Sequence, residues 1–283
     1  MDKNKWEENL SAKWAGRYLE YHQELVSTNV TIASLSAEDA PHGTLVVAEK
    51  QTGGRGRRGR SWESPAGKSL YFSLLLRPEF APEKASMLTL VMAHSVAKAV
   101  EHAAEIARPG TNEHAAGTTQ GAMEKRPAIK WPNDILVNGK KVGGILTEMQ
   151  VDKGRIGHVI IGVGINVKEQ EFVGELAGKA STLEQEWKIN IDRAALLCYI
   201  MQNFEQDYEA FEASGDLQPL LKYYHSRLLN KDAYVKVLDP QEPFEGIARG
   251  ITAKGELIVE KEDGQTCFVY AGEVSVRGRE GYV

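Results

Sequence analysis

Apolar, β-branched runs bounded by glycine, proline or charge recur along the first two thirds of the chain. Each run is short and has no helical period, which predicts buried strands. Between two of them stands Asn138-Gly139, a dipeptide that favours a tight hairpin turn. The strands predicted in this way are 44–50, 69–76, 128–131, 135–137, 142–149 and 158–167.

Segments with helical periodicity lie between and after these predicted strands. Apolar residues recur at three- and four-residue spacing over 84–106, just after Pro82, which predicts a well-buried amphipathic helix. Two further helices are predicted over 192–213 and 216–229. The segment 108–127 has no periodicity and consists mostly of small and polar residues, so we expect a mobile surface insertion there.

The pattern changes near residue 230 to short alternating runs, which are separated by turn dipeptides such as Asp239-Pro240 and Asp263-Gly264. Five short strands in about fifty residues predict a small β-barrel. We therefore expect two domains, a larger one over 1–230 and a smaller one over 231–283.

Composition narrows the class of protein. With 42% hydrophobic and 26% charged residues among 283, the chain resembles an ordinary globular protein, which excludes disorder and collagen. A formal net charge of -5 argues against a dedicated, sequence-independent nucleic-acid binder, because such proteins normally carry a basic excess. No signal-peptide pattern and no apolar run of about 18 residues occurs, so we expect a cytoplasmic protein without membrane association.

The chain has two cysteines, Cys198 in a helical run and Cys267 in a strand-like run. Neither belongs to a CxxC pair or to a Cys/His set with zinc spacing. The seven histidines form no ligand spacing either. We expect both cysteines to be core thiols, and the sequence assigns no metal ligand.

The loop 53–60, GGRGRRGR, is the most informative segment, with four glycines and four arginines directly after a predicted strand. Glycine lets the backbone approach a ligand closely and adopt positive φ. Guanidinium groups form bidentate, charge-assisted hydrogen bonds with phosphate or carboxylate. The loop therefore predicts a site for an anion, and phosphate is the best candidate.

Three other interpretations of this region compete. Residues 54–59 match the GxGxxG pattern, but Pro65 follows where a dinucleotide site needs a helix. Residues 67–69, GKS, look like the end of a P-loop, yet Trp62 stands where the first glycine belongs. The third is an RNA-binding arginine-glycine arm, although such arms are typical of disordered tails.

Polar residues also gather in KWPND at 130–134, in GKKVGG at 139–144 and in GVGIN at 162–166. Taken alone, each has an ordinary explanation: a solvated turn with a packed tryptophan, hairpin lysines that face solvent, or an asparagine that caps a turn. Gly143-Gly144 nevertheless indicates a strand whose backbone is closely approached by another group.

The order of these segments carries more information than any one of them. Ser27-Thr28-Asn29, Gln51 with GGRGRRGR, KWPND, GKKVGGILTE and GVGIN occur with the order and approximate spacing of biotin protein ligases. The chain resembles that family from about Trp14 to its C-terminus. The resemblance implies an α+β fold, with a mixed-sheet catalytic domain followed by a small SH3-like β-barrel.

The resemblance also implies a two-step reaction. Biotin and ATP, with Mg²⁺, would give biotinyl-5′-AMP and pyrophosphate. The adenylate would then biotinylate one specific lysine of the biotin carboxyl carrier protein of acetyl-CoA carboxylase, without a covalent enzyme intermediate. The flexible glycine/arginine loop would close over the adenylate and shield it from water.

Roles follow from the resemblance residue by residue. Arg57 and Lys141 would stabilise the charge that develops during adenylation, and Asp134 would orient or deprotonate the acceptor lysine. Trp62 would stack on the adenine or cover it. The implied biotin-binding residues are Ser27, Thr28, Asn29, Gln51, Arg55, Gly56, Arg57, Lys141 and Gly144. The implied nucleotide-binding residues are Arg57, Arg58, Trp62, Lys130, Asn133 and Asn166.

The chain also departs from the family pattern. Only 26 residues precede Ser27, too few for the helix-turn-helix domain of many relatives, so we expect no binding to operator DNA. Val26 stands where an acidic residue often precedes Ser-Thr-Asn, and the 108–127 segment is longer than expected. The alternatives are a lipoate–protein ligase and a non-enzymatic RNA-binding module. Edge strands of the catalytic sheet could pair two copies in a homodimer.

Overall fold

The computed structural model describes residues 6, 8–107, 126–239, 242–271 and 275–278. The insertion predicted over 108–127 lies outside the described residues, apart from Arg126 and Pro127. Two sheets organise the described part of the chain, a larger one before residue 170 and a smaller one after residue 230.

The larger sheet has seven strands. They are β1 (Leu19–Leu25), β2 (Leu45–Gln51), β3 (Ser69–Leu76), β4 (Ala128–Lys130), β5 (Asp134–Val137), β6 (Lys140–Asp152) and β7 (Arg155–Asn166). Their spatial order is β1-β2-β3-β7-β6-β5-β4. The β1–β2 pair is parallel and the other pairs are antiparallel. The predicted mixed sheet is therefore confirmed.

The turn between β5 and β6 shows how local sequence sets the register. Asn138 and Gly139 have φ angles of 49° and 75°, which asparagine and glycine adopt at little cost. Val137 pairs with Lys140 across the turn, so the hairpin predicted from Asn-Gly is confirmed. A bulge between Ile135 and Leu136 then shifts the pairing by one residue, and Asp134 lies opposite Gly144.

Helices cover both faces of this sheet. They are α1 (Thr28–Ala37), α2 (Met87–Ala107), α3 (Leu183–Trp187), α4 (Arg193–Ser214) and α5 (Leu221–Arg227). Helices α2 and α4 pack along each other and contribute about a third of the buried residues of the main apolar core. Helix α1 lies over the opposite face, where Ile32 packs with Val46, Leu75 and Ile160 in a smaller core. The first turn of α1 is thereby fixed above the sheet.

The observed helix ends differ from the predicted ones. Helix α2 begins at Met87 rather than 84, because Pro82–Lys84 forms a separate 3-10 turn. Helix α5 covers Leu221–Arg227 rather than 216–229, because Gln218–Leu220 is also a 3-10 turn. In both segments a proline at the start of the turn removes a backbone donor and favours a separate short element.

The smaller sheet has five strands: β8 (Ala233–Leu238), β9 (Phe244–Ile251), β10 (Leu257–Glu260), β11 (Thr266–Val269) and β12 (Ser275–Gly278). Their order is β11-β10-β9-β8-β12, and all pairs are antiparallel. Val235, Val237, Leu257 and Val259 are buried at alternating positions, as expected for strands with one face in a core. The predicted α+β fold with a small C-terminal β unit is confirmed.

The two cysteines differ in burial. Cys198 is buried in α4, as predicted, but Cys267 is only partly buried. The prediction of a core thiol is wrong for Cys267, because β11 is an edge strand of the small sheet and little packs on it. None of the helices in the described residues combines the length and apolarity needed to cross a bilayer.

Candidate active site

Two adjoining clefts open where the first turn of α1, the glycine/arginine loop and strands β5 to β7 meet. The inner cleft contains the start of α1, Gln51 and the glycines Gly144, Gly162 and Gly164. The outer cleft contains Lys130, Asn166 and Arg277. The residues shared by the two clefts are Gly56, Arg57, Trp62, Asn133 and Lys141.

Hydrogen bonds between uncharged groups order one side of the inner cleft. The backbone N–H of Thr28 donates to Gln51 Oε1 at 2.9 Å, and Gln51 Nε2 donates to Ser64 Oγ at 2.9 Å. Ser27 precedes α1 with extended backbone, is almost fully buried, and makes no side-chain capping bond. The cleft therefore has fixed amide groups and a hydroxyl that is not used to cap the helix.

A second set of hydrogen bonds lies below Thr28. Ser73 Oγ on β3 is 2.8 Å from Thr28 Oγ1 and 2.5 Å from Asn29 Oδ1. Asn29 Nδ2 donates to Glu148 Oε2 on β6 at 2.6 Å. Ser73, Thr28 and Asn29 are all buried, so this network is closed to bulk water. It connects α1 to two strands of the sheet.

The glycines of β7 leave room for these side chains. A Cβ on Gly162 would lie 2.0 Å from Asn29 Oδ1, and a Cβ on Gly164 would lie 2.5 Å from Cε2 of Trp62. On β6, a Cβ on Gly144 would lie 2.9 Å from Cζ3 of Trp62. The close approach expected at Gly143-Gly144 is thus made at Gly144 by the indole of Trp62. The indole Nε1 is buried and has no hydrogen-bond partner within the described part of the chain.

Arg57 joins the loop to both halves of the molecule. Its Nη1 donates to Asn133 Oδ1 at 2.9 Å and its Nη2 donates to the carbonyl of Ala271 at 3.0 Å. Burial lowers the pKa of Arg57 from its usual value, although guanidinium stays charged at neutral pH. Arg55 and Arg58 are exposed on the same loop. Arg57 is the arginine held at the junction of the clefts.

Lys141 and Asp134 form an ion pair at the same junction. The Nζ of Lys141 is 2.6 Å from Asp134 Oδ1 and 5.3 Å from the ring centroid of Trp62. Asn133 Nδ2 donates to Asp134 Oδ1 and to the carbonyl of Ile145, both at 3.2 Å. A carboxylate, an ammonium and a guanidinium therefore lie around one point between the clefts.

The outer cleft is cationic. Lys130 is 3% exposed, and burial lowers its pKa to about 8. The charges of Arg277, Lys141 and Arg60 contribute to this lowering, whereas the charge of Asp134 opposes it. Asn166 also lines this cleft and donates to the carbonyl of Ser181 at 3.2 Å. These local charges would stabilise a bound polyanion, so the protein does not need a large basic surface elsewhere.

Every residue to which the resemblance assigns a role lines one of the two clefts. Their individual roles stay predictions. Sequence reasoning does not find Ser73, Glu148 or Arg277. Ser73 has a signal, since it is a serine within the apolar run SLYFSLLL. Glu148 shares the face of β6 with Gly144, four residues away.

Comparisons with known families cover both units of the chain. The family described as "Biotin/lipoate A/B protein ligase family" matches residues 23–166. The one described as "Biotin protein ligase C terminal domain" matches residues 234–277. The first includes the strands and loops that line the inner cleft, and the second coincides with the small C-terminal sheet.

Individual relatives extend these matches. The bifunctional ligase/repressor BirA of Bacillus subtilis (strain 168) is 39% identical over 257 residues, which cover 90% of this chain and 73% of the relative. The biotin–acetyl-CoA-carboxylase ligase of Mycobacterium tuberculosis is 28% identical, with 97% and 95% covered. The biotin protein ligase of Aquifex aeolicus in complex with biotin and ATP aligns with a TM-score of 0.73 at 29% identity, covering 93% of this chain and 99% of that chain.

Proposed function

The chain belongs to the biotin/lipoate A/B protein ligase family, and from that premise we propose that it activates biotin with ATP and transfers it to a protein lysine. The observation that carries the proposal is the junction of a neutral, hydrogen-bonded cleft with a cationic one at Arg57, Lys141 and Trp62. A small polar ring with an acyl chain fits the first, and a nucleoside triphosphate fits the second.

Biotin would place its cyclic urea beside Ser27, Thr28 and Gln51. These groups offer hydrogen-bond donors and acceptors within a cleft whose other walls include Leu146 and Val163. Ligand sites of this type are mostly apolar, with a few polar groups that fix orientation. The acyl chain would run past Gly144 toward Arg57 and Lys141, which brings its carboxylate to the junction.

Adenylation joins two anions. The biotin carboxylate attacks the α-phosphate of ATP, the bond to the β-phosphate breaks, and pyrophosphate leaves. Arg57 and Lys141 reduce the repulsion between carboxylate and phosphate, and they stabilise the charge that develops in the transition state. Lys130 and Arg277 line the side of the junction where the departing pyrophosphate would lie.

Trp62 lies where its indole would contact a bound nucleotide. Its indole N–H is buried without a partner in the described residues, and such a donor favours a ligand acceptor. We propose that the ring contacts the adenine when the loop carries Trp62 against it. Asn133 and Asn166 would hold the remaining polar groups of the nucleotide in the outer cleft.

Transfer requires an uncharged acceptor lysine, whose free pKa of about 10.4 keeps it protonated at neutral pH. Asp134 is the carboxylate at the junction, 2.6 Å from Lys141. We propose that Asp134 orients the acceptor ammonium or accepts its proton. The name of the M. tuberculosis relative supports the biotin carboxyl carrier protein of acetyl-CoA carboxylase as the acceptor.

Magnesium would come with the triphosphate. Among the described residues, no three His, Cys, Asp or Glu side chains form a group that could hold a metal. Mg²⁺ is usually held by one or two carboxylates together with substrate phosphates, and the carboxylates of Asp134 and Glu63 line the outer cleft. These residues fit an ion that enters with ATP.

Biotin-dependent exchange of pyrophosphate into ATP tests this function without the correct acceptor. We expect exchange with biotin and none with lipoate. Exchange with lipoate alone would point to a lipoate–protein ligase. Absence of exchange with both acids, on folded protein, would contradict the proposal, and salt-sensitive RNA binding would then support the RNA-binding alternative.

A further inference from the structure

Glu148 on β6 has no role in the reaction described above, yet it contacts two parts of the site. One carboxylate oxygen, Oε2, accepts a hydrogen bond from Asn29 Nδ2 at 2.6 Å and lies 3.3 Å from Arg55 Nη2. The Arg55 contact is between exposed groups, and exposed ion pairs contribute little. The Asn29 contact is the shorter one, and it leads into the buried network.

The carboxylate determines how Asn29 is oriented. An ionised carboxylate only accepts hydrogen bonds, so the amide NH₂ of Asn29 must face Glu148. The amide oxygen of Asn29 then faces Ser73 Oγ, which is 2.5 Å away. Ser73 has one hydroxyl proton, and it is donated to Asn29 Oδ1 because that oxygen cannot donate.

The same donor-to-acceptor direction in the hydrogen-bond chain extends from Ser73 to the inner cleft. Ser73 Oγ is also 2.8 Å from Thr28 Oγ1. Because the proton of Ser73 is used by Asn29, the Thr28 hydroxyl must donate at this contact. Thr28 Oγ1 then has only lone pairs for other partners. Gln51 Oε1, 3.2 Å from it, is held as an acceptor by the backbone N–H of Thr28.

We propose that Glu148 is a positioning residue for ligand specificity, because it orients the chain Asn29–Ser73–Thr28 so that Thr28 Oγ1 and Gln51 Oε1 both present acceptors to the inner cleft. Two adjacent acceptors fit an N–H donor of the ligand, and a cyclic urea carries such groups beside its carbonyl. The inference rests on the proposed function, since it takes biotin as the ligand.

The test compares biotin with a lactam analogue in which a methylene replaces one ureido N–H. In biotin-dependent pyrophosphate exchange, Glu148→Ala is expected to raise the KM for biotin about tenfold or more, as for a lost hydrogen bond to a charged group. The KM for ATP and kcat stay within about twofold. The preference of the wild type for biotin over the lactam is expected to shrink toward equality in the variant.

Two further variants make the test specific. Glu148→Gln keeps the shape but allows either amide orientation, so it is expected to show a smaller shift in the same direction. Adding Ser73→Ala to Glu148→Ala should change the biotin KM no more than Ser73→Ala alone, since both interrupt one chain. Asp152→Asn, at the exposed end of the same strand, is the matched control and should leave biotin kinetics unchanged.

The outcomes separate the two proposals. Wild-type protein without biotin-dependent exchange would overturn the proposed function. An active wild type whose Glu148 variants keep the biotin KM, or lose biotin and the lactam equally, would overturn the positioning role alone. If Glu148→Ala fails to fold, the same comparison of the two ligands with Glu148→Gln decides the question.

Discussion

The two clefts meet at Arg57, Trp62 and Lys141 but are built by different means. The inner cleft is formed by one unit, and its polar groups are already paired with one another through Gln51, Ser73 and Asn29. The outer cleft combines the glycine/arginine loop, the KWPND segment and Arg277 of the small C-terminal sheet. Its cations Lys130, Lys141 and Arg277 lie close together around the carboxylate of Asp134.

From this difference we expect the inner cleft to recognise the ligand and the outer cleft to stabilise the transition state. A network with fixed donors and acceptors selects a ligand by shape and hydrogen bonding, because a wrong partner leaves buried polar groups unpaired. A set of cations selects little but stabilises a transition state in which charge is shared between carboxylate and phosphate. We expect changes at Gly162 to act on biotin, and changes at Gly164 to act on ATP.

Removing the charge of Arg57 should give the largest effect. For Arg57→Ala we predict a loss of pyrophosphate exchange of about 100- to 1,000-fold in kcat, the range found for a lost transition-state donor. Arg57→Ala and Arg57→Gly should both also release biotinyl-5′-AMP into solution, because either change removes the contacts of the loop with Asn133 and Ala271. Exchange rates and a chromatographic assay of free adenylate measure both.

The control for Arg57 is another arginine. Arg249 on β9 is exposed, and its ion pairs with Asp232 and Glu260 belong to the small sheet. Arg249→Gln should leave exchange and adenylate retention unchanged. Equal losses in the Arg57 and Arg249 variants would mean that general loss of positive charge, rather than the junction, explains the result.

Alanine at Gly162 should act on biotin. The new Cβ would lie 2.0 Å from Asn29 Oδ1, so Asn29 must move and the network below Thr28 is disturbed. We predict a biotin KM raised on the order of 10- to 100-fold, with little change in the ATP KM. Steady-state exchange at varied biotin measures this. A change confined to the ATP KM would contradict it.

Alanine at Gly164 should act on the nucleotide. Here the Cβ would lie 2.5 Å from Trp62, which displaces the indole from the junction. We predict an ATP KM raised about tenfold, less than the biotin effect at Gly162, because Trp62 lies on a loop that can adjust. Gly157→Ala on the same strand meets nothing closer than 3.5 Å and serves as control for both glycines.

The pH dependence of ATP binding should give the smallest effect. Because burial lowers the pKa of Lys130 to about 8, Lys130 loses its charge as pH rises through that value. We predict an ATP KM that rises about three- to fivefold between about pH 7 and 9, for one weakened charge contact. Lys130→Arg should abolish this rise, since guanidinium stays charged. An unchanged rise in that variant would exclude Lys130 as its source.

The same shift affects stability with a definite sign. The folded pKa of Lys130 lies below the usual 10.5, so the unfolded chain binds more protons between about pH 8 and 10.5. The contribution of Lys130 to the free energy of unfolding should therefore increase with pH across that window. Denaturant titrations of wild type and Lys130→Met at several pH values measure it, and a difference independent of pH would contradict it.

Local signals made much of the fold predictable from sequence. The run 69–76 is fully buried and the Asn138-Gly139 turn forms as expected, because both depend on neighbouring residues. The pattern predicts neither β1 nor α1. β1 is an edge strand with partly exposed residues, and α1 buries Thr28 and Asn29 in place of apolar residues. The buried polar residues of α1 belong to the candidate site, so the helical periodicity of apolar residues is weak in that segment.

The residues of the site also divide into those that local sequence predicts and those that it does not. Those in ordered motifs, such as Gln51 and the glycine/arginine loop, are identified from sequence and lie in the clefts. Ser73 and Glu148 act on Asn29 from 44 and 119 residues away along the chain. Such partners come from tertiary packing, and no local pattern predicts which serine or glutamate will be used.

Titration calorimetry of biotin in the absence of nucleotide tests most directly whether the inner cleft is a separate, preformed recognition site. We predict that wild-type protein and Gly164→Ala bind biotin with similar affinity, whereas Gly162→Ala binds it at least about tenfold more weakly. Failure of the wild type to bind biotin without ATP, or equal weakening in the two glycine variants, would contradict the division between the clefts.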